Sequence, residues 1–307
     1  MCGALDLAWE PGSGAAALAI TVNVHRVKAL ASVLREAPAS AIDVIELNDP
    51  QYHAVKKLVS IHGEAAVALA AANALISYRL SMPGEKYWME FAGWASKRPR
   101  PGSGRELVTE MKEFLAESRG NRMVGLQKAR RLERALPALE KLLREPRKYS
   151  NLGLLVRELA GALGARLEEK TIVFAAKMAY YAYRALGIEV SGKDDIPLPL
   201  DRRMAVLTSA SGLLDAPPDR VFTRHRAEAV KAWQMVAAES GIPGIHLDAV
   251  VWLPAQGIER NLRIGLEYAR EEYACKLVDY SRGVIGWGLA RRVAGEILYR
   301  DPYSMHS

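Results

Sequence analysis

Apolar residues recur along this chain three or four positions apart, and no stretch shows the alternation of a half-buried strand. The pattern predicts helices over 51–80, 106–117, 124–144, 152–163, 168–186, 201–213, 220–240 and 247–253, with two more between 260 and 298. Start and stop signals agree with it. Asn48 and Asp49-Pro50 open the first helix, and Asn151 is placed to cap the fourth. Pro137 is expected to kink or break the helix over 124–144, because it removes an amide donor and crowds the preceding turn. Loops are marked by Pro, Gly and charge at 97–104 (KRPRPGSG), 191–200 (SGKDDIPLPL) and 216–219 (APPD). The fold class is all-α.

Composition narrows the setting. Half of the 307 residues are apolar, enough for a sizeable core, and 25% are charged, which excludes disorder as a whole. No run of about 18 uncharged apolar residues is present, so no membrane span is predicted. Residues 1–21 lack a basic leading region, which argues against a signal peptide. With only Cys2 and Cys275, a disulfide framework and a cysteine-built metal site are both excluded, and the chain reads as intracellular. Gln occurs only at Gln51, Gln127, Gln234 and Gln256; depletion of thermolabile amides suits a hot habitat, though biased codon usage gives the same result.

Charge adds a direction. The 42 Lys and Arg exceed the 35 Asp and Glu, and the excess is concentrated between Lys97 and Lys148, with 15 basic residues against 7 acidic. Such a segment is either a footprint for a polyanion such as nucleic acid or a solvated helix face, and charge alone favours neither.

Candidate chemistry is reached partly by elimination. The histidines (His25, His53, His62, His225, His246 and His306) form no H-x-x-x-H pair. Lys170-Thr171 lacks the Gly that precedes the lysine of a phosphate-binding loop, and no G-x-S-x-G elbow occurs. What remains is a tight helical hairpin whose first helix ends at Gly161 and Gly164 and whose turn is Gly164-Ala165-Arg166-Leu167. Backbone amides at the start of a second helix can grip a phosphate, although most short helix hairpins are only packing units. Lys170, Phe174 and Lys177 share one otherwise apolar face of that helix. Desolvation there would lower the pKa of Lys170 and make its amine nucleophilic; the commoner fate of a lysine is to snorkel to solvent. Asp201 stands where a plain N-cap is favoured, and a carboxylate held rigid there would also suit a developing sugar cation. Asp248 and Trp252 share a helix face, and Trp88 and Phe91 lie together in GEKYWMEFAGW. Each aromatic taken alone reads as core; taken together with isolated carboxylates they could form a slot for a flat base.

The same residues carry a family resemblance. DPQYHAVKKLVSIHGE with NALISYRL, GARLEEKTIVFAAKMAYYAY, DIPLPLDRRMAVLTSASGL and GIPGIHLDAVVWLP, in this order, resemble the archaeal 8-oxoguanine DNA glycosylase/AP lyase family, a divergent branch of the helix-hairpin-helix glycosylases. The likeness spans about residues 43–256. It implies two helical subdomains flanking a cleft, with an N-terminal extension at 1–42, a helical subdomain with the basic segment at 43–150, a hairpin and catalytic subdomain at 151–256, and a C-terminal helical extension at 257–307.

By that resemblance Lys170 is the Schiff-base nucleophile and Asp201 the catalytic carboxylate. Phe174 stacks on the flipped base, Trp88 and Trp252 form other pocket walls, and Gln51 and Asp248 bond the base edge. Gly164, Ala165 and Arg166 hold a DNA phosphate. The implied partner is DNA containing 8-oxoguanine, bound by a monomer in the cytoplasm or nucleoid of an archaeon, with no cofactor and no metal. One feature departs from the wider superfamily: Lys170 lies six residues after Gly164, in a longer hairpin. The archaeal branch shares it. The rival readings are a non-catalytic helix-hairpin-helix DNA-binding protein and a glycosylase for another lesion, such as adenine or an oxidised pyrimidine.

Overall fold

The computed structural model describes residues 20–304. Sixteen α-helices follow one another, with no strand among the described residues. They are α1 (Val24–Arg35), α2 (Ala39–Leu47), α3 (Pro50–His62), α4 (Ala65–Leu75), α5 (Gly84–Ala95), α6 (Gly104–Glu117), α7 (Gly125–Arg144) and α8 (Leu152–Leu163). After the hairpin come α9 (Lys170–Leu186), α10 (Arg202–Ala210), α11 (Pro218–Thr223), α12 (Arg226–Ser240), α13 (Gly244–Trp252), α14 (Ile258–Ile264), α15 (Leu266–Tyr280) and α16 (Trp287–Ile297).

Their apolar faces assemble into two cores. The first is built by α3 to α9, with the Ala-rich α4 buried along its whole length and packed on α9. The second is built by α1, α2 and α10 to α16. Buried side chains therefore do not divide at 42, 150 and 256, where the sequence breaks were placed. Helix α1 lies in the supposed extension, yet its stripe of Val27, Leu30, Ala31 and Leu34 closes the second core against α12 and α16. Arg26 ties it down by donating to the carbonyls of Ser211 and Glu296. Helices α14 to α16 belong to the same core rather than to an appendage. Residues 1–19 of the N-terminal extension, with Cys2, and His306 lie outside the described residues.

Local chemistry explains where helices differ from the periodicity. The pattern over 51–80 is two helices, because Gly63 takes the left-handed φ of +58° between α3 and α4 and the chain is irregular after Ile76. Likewise 220–240 divides at Arg224 and His225 into α11 and α12. Pro137 neither breaks nor ends α7, which runs through it. It sits on the exposed face, where water can solvate the carbonyl it leaves unpaired. Three helices rather than two occupy 258–297. No helix among the described residues is long and apolar enough to cross a membrane.

Candidate active site

The hairpin between α8 and α9 sets the site. Asn151 caps α8, its Oδ1 accepting from the Leu154 amide at 2.9 Å. Gly164 ends it in the left-handed conformation, φ +57°, and the Ala165 amide reaches back to the Ala160 carbonyl at 2.9 Å. This cap uses the amides of both Gly164 and Ala165, so neither is available to a phosphate as the turn had suggested. The Arg166, Leu167 and Glu168 amides make no internal bond among the described residues. The Arg166 side chain is exposed and paired with Glu168. The turn then delivers Lys170 as the first residue of α9, pointing inward.

A cavity of about 700 Å³ opens where the two cores meet. Gln51, Trp88, Lys170 and Phe174 line it from the first core, and Asp201, Asp248 and Trp252 from the second. Seven residues scattered over two hundred positions thus converge, while Gly164, Ala165 and Arg166 stay outside on the turn.

Lys170 donates to the Ser77 carbonyl at 3.0 Å, and its ammonium stands 5.0 Å from the centre of the Phe174 ring. Burial pushes its pKa below the usual lysine range; Asp201 and Asp248 oppose the shift, and Arg226 adds to it. Asp201 is the N-cap that its position favours. Its Oδ1 caps α10 by accepting from the Met204 amide at 2.9 Å, and its Oδ2 accepts from Trp252 Nε1 at 2.8 Å. The carboxylate is locked in place with its charge in the cavity.

The aromatic walls are both core and pocket. Trp88 is almost wholly buried and meets Phe174 edge to face at 5.9 Å, yet both line the cavity. Arg203, which sequence reasoning missed, lies 3.7 Å over the Trp252 ring and donates to its carbonyl. One face of the indole is thereby covered, and the ring is fixed.

Gln51 is 3% exposed, and its side-chain amide has no hydrogen-bond partner among the described residues. That amide opens on the cavity, where a ligand can complete it. Asp248 Oδ2 accepts from the fully buried Lys177 ammonium. Behind them Asp49 accepts from the Tyr181 hydroxyl and the Gln51 backbone N–H, both at 2.8 Å, and burial raises its pKa to about 6. Arg226 and Phe222, also missed, line the cavity near Lys170; a single Arg in an amphipathic helix carries no sequence signal for such a place.

The basic segment is less cationic than its composition. Arg98, Lys112, Lys141, Arg144 and Arg147 are all paired with carboxylates, and Lys128 is completely buried.

Comparison with known proteins decides the family. The sequence profile of the family described as AGOG: N-glycosylase/DNA lyase matches residues 31–284. The chain belongs to the AGOG N-glycosylase/DNA lyase family. Among its relatives, the N-glycosylase/DNA lyase of Pyrobaculum aerophilum is 36% identical over 235 residues, covering 76% of this chain and 87% of that one. The N-glycosylase/DNA lyase of Methanopyrus kandleri is 38% identical over 225 residues, covering 72% and 86%. The crystal structure of 8-oxoguanosine-complexed Pa-AGOG, an 8-oxoguanine DNA glycosylase from Pyrobaculum aerophilum, superposes with a TM-score of 0.67 at 32% identity, covering 82% of this chain and 96% of that one. This N-glycosylase/DNA lyase therefore shares the all-helical AGOG fold and is a DNA-repair enzyme.

Proposed function

We propose that this enzyme excises 8-oxoguanine from DNA as a monomer and then cleaves the strand, with Lys170 as nucleophile and Asp201 as the charge that steadies the sugar. The observation that carries the reading is the placement of Lys170: an inward-facing amine, depressed by burial, hydrogen-bonded only to a carbonyl, in a cavity shared with a fixed carboxylate. A free lysine with a pKa of about 10.4 is neutral in only about one molecule in 2500 at pH 7. Desolvation removes much of that penalty.

The lesion is turned out of the stack at a cost of a few kcal/mol, offset by contacts in the pocket. The Lys170 lone pair forms a bond to C1′ while the C1′–N9 bond breaks, and the departing base keeps that electron pair and takes up a proton. Asp201 stabilises the positive charge that develops on the sugar in between. The attached amine loses a proton, the C1′–O4′ bond opens, and an imine results. A proton then leaves C2′ and the C3′–O bond breaks, cutting the strand on the 3′ side of the lesion.

Recognition rests on the two atoms by which the lesion differs from guanine, a proton on N7 and an oxygen on C8. The unpartnered Gln51 amide and the Asp248 Oδ1 are the groups that would meet the base edge. A normal guanine leaves an acceptor aimed at N7–H unpaired, which discriminates strongly. Phe174, Trp88 and the uncovered face of Trp252 supply the stacking walls. The free amides of Arg166 to Glu168 are the hairpin's available phosphate donors.

The test is borohydride trapping on a duplex with one 8-oxoguanine, beside a guanine duplex and a Lys170→Ala variant. A covalent band only with the lesion and the intact lysine is the expected result. Trapping on a different damaged base would replace the substrate, and tight binding without a band would point to a DNA-binding protein.

A further inference from the structure

Two lysines are completely buried, Lys128 and Lys177. Lys177 has its carboxylate, Asp248. No carboxylate lies within ion-pair distance of Lys128 among the described residues. An interior ammonium without a counter-ion is costly, and structures keep few of them without a use.

Its surroundings suggest the use. Lys128 projects from α7, and its Nζ donates to Asn121 Oδ1 at 2.8 Å. The Asn121 amide donates in turn to the Tyr87 hydroxyl at 3.2 Å, and that hydroxyl donates to Asn73 Oδ1 at 2.5 Å. The Asn73 carbonyl accepts from the Ser77 hydroxyl at 2.7 Å. The Ser77 carbonyl is the acceptor that holds Lys170. A buried hydrogen-bond network thus runs from the uncompensated ammonium to the Asn73 side chain, and the backbone of the same turn, Asn73 to Ser77, presents the carbonyl that is Lys170's hydrogen-bond partner among the described residues. Tyr78, the next residue, places its ring 5.2 Å from the Lys128 ammonium.

We infer that Lys128 is a positioning residue for the proposed reaction: a fixed interior cation, set behind the nucleophile by the network that ends in the Asn73–Ser77 turn, that opposes a second positive charge on Lys170. The inference rests on Lys170 being the nucleophile, and not on which base is removed. Asp201 and Asp248 face Lys170 from the second core and favour its ammonium, while Arg226 opposes it. On the side of Tyr78, Arg131 is paired with Glu169, which leaves little net charge there, and Arg79 is exposed at the cavity mouth. Lys128 is thus the one uncompensated interior cation behind the nucleophile among the described residues. Burial and the neighbouring Lys170 push its own pKa down to about 8, so it remains mostly charged at neutral pH.

The experiment is single-turnover borohydride trapping on a duplex with one abasic site, followed across pH at constant ionic strength, for the wild type, Lys128→Gln, Lys128→Met and Lys170→Ala. Both neutral variants should move the acidic limb of the profile up by about one pH unit, a roughly tenfold loss on that limb, while the alkaline plateau stays at the wild-type value. Thermal stability should be unchanged or raised, because an unpaired interior charge has gone. An unmoved limb in a folded variant overturns the inference, whether or not the plateau falls. Loss of the fold in both variants would show that the ammonium serves stability instead, and overturns it too. If Lys170→Ala still traps, the nucleophile assignment fails; if it does not trap and the Lys128 limb is unmoved, only the present inference fails.

Discussion

The two ends of one short stretch of α9 hold lysines in opposite states. Lys170 and Lys177 stand two turns apart on the same face, and burial works against the charge of both. At Lys170 the partner is a carbonyl, no carboxylate among the described residues makes an ion pair, and the pKa falls. At Lys177 Asp248 bonds directly and Asp49 and Glu46 add their charge, so the pKa rises in spite of burial. Depth in the protein does not make a lysine reactive. What matters is whether the protein supplies a counter-charge within bonding distance, and along this helix it does so at one position and withholds it at the other.

The strongest break in that comparison is at the nucleophile. Lys170→Ala should lower imine formation by about a thousandfold or more, read as the rate of borohydride trapping, with DNA binding retained. Asp201→Asn comes next. It keeps the α10 cap while removing the charge and the Trp252 bond, and should slow base release by about a hundredfold or more in single-turnover assays, with a much smaller loss of lesion affinity.

The Lys177 end should answer in stability. Lys177→Met leaves Asp248 and Asp49 buried without their cation and should destabilise the fold by about 3–5 kcal/mol in urea titrations. Adding Asp248→Leu should recover part of that loss. The smallest effect is on the pH dependence of stability. Asp49 has a folded pKa of about 6, above its ordinary value of 3.8. The folded state therefore binds its proton more tightly, and the stability it contributes is present below about pH 4 and lost as pH rises through 6. Asp49→Asn should flatten the fall in stability across that window, as measured by denaturation at several pH values.

Much of this was legible in the sequence because it is local. The periodicity, the Asn151 and Asp201 caps and the Gly164 stop each follow from residues a few positions apart, and they place Lys170 and Asp201 at helix starts. Seven site residues that line one cavity were indicated by the family resemblance, because their convergence across two hundred positions is not local. What escaped notice depends on distant packing. Gly63 and the Arg224-His225 break interrupt runs whose periodicity continues. Helix α1 looked like an extension because nothing nearby in sequence shows that α12 and α16 need covering. Lys128 sat in a run of basic residues that reads as surface, and its packing against Asn121 and Tyr78, which lie outside its helix, is what buries it. Gly164 and Ala165 looked available to a phosphate because the sequence does not reveal that the helix cap already uses their amides.

The most direct test of the account is to digest the borohydride-trapped complex and map the adduct by peptide mass spectrometry. The account predicts that the sugar remnant is found on Lys170 alone. An adduct on Lys177 or Lys128 with Lys170 unmodified would contradict it.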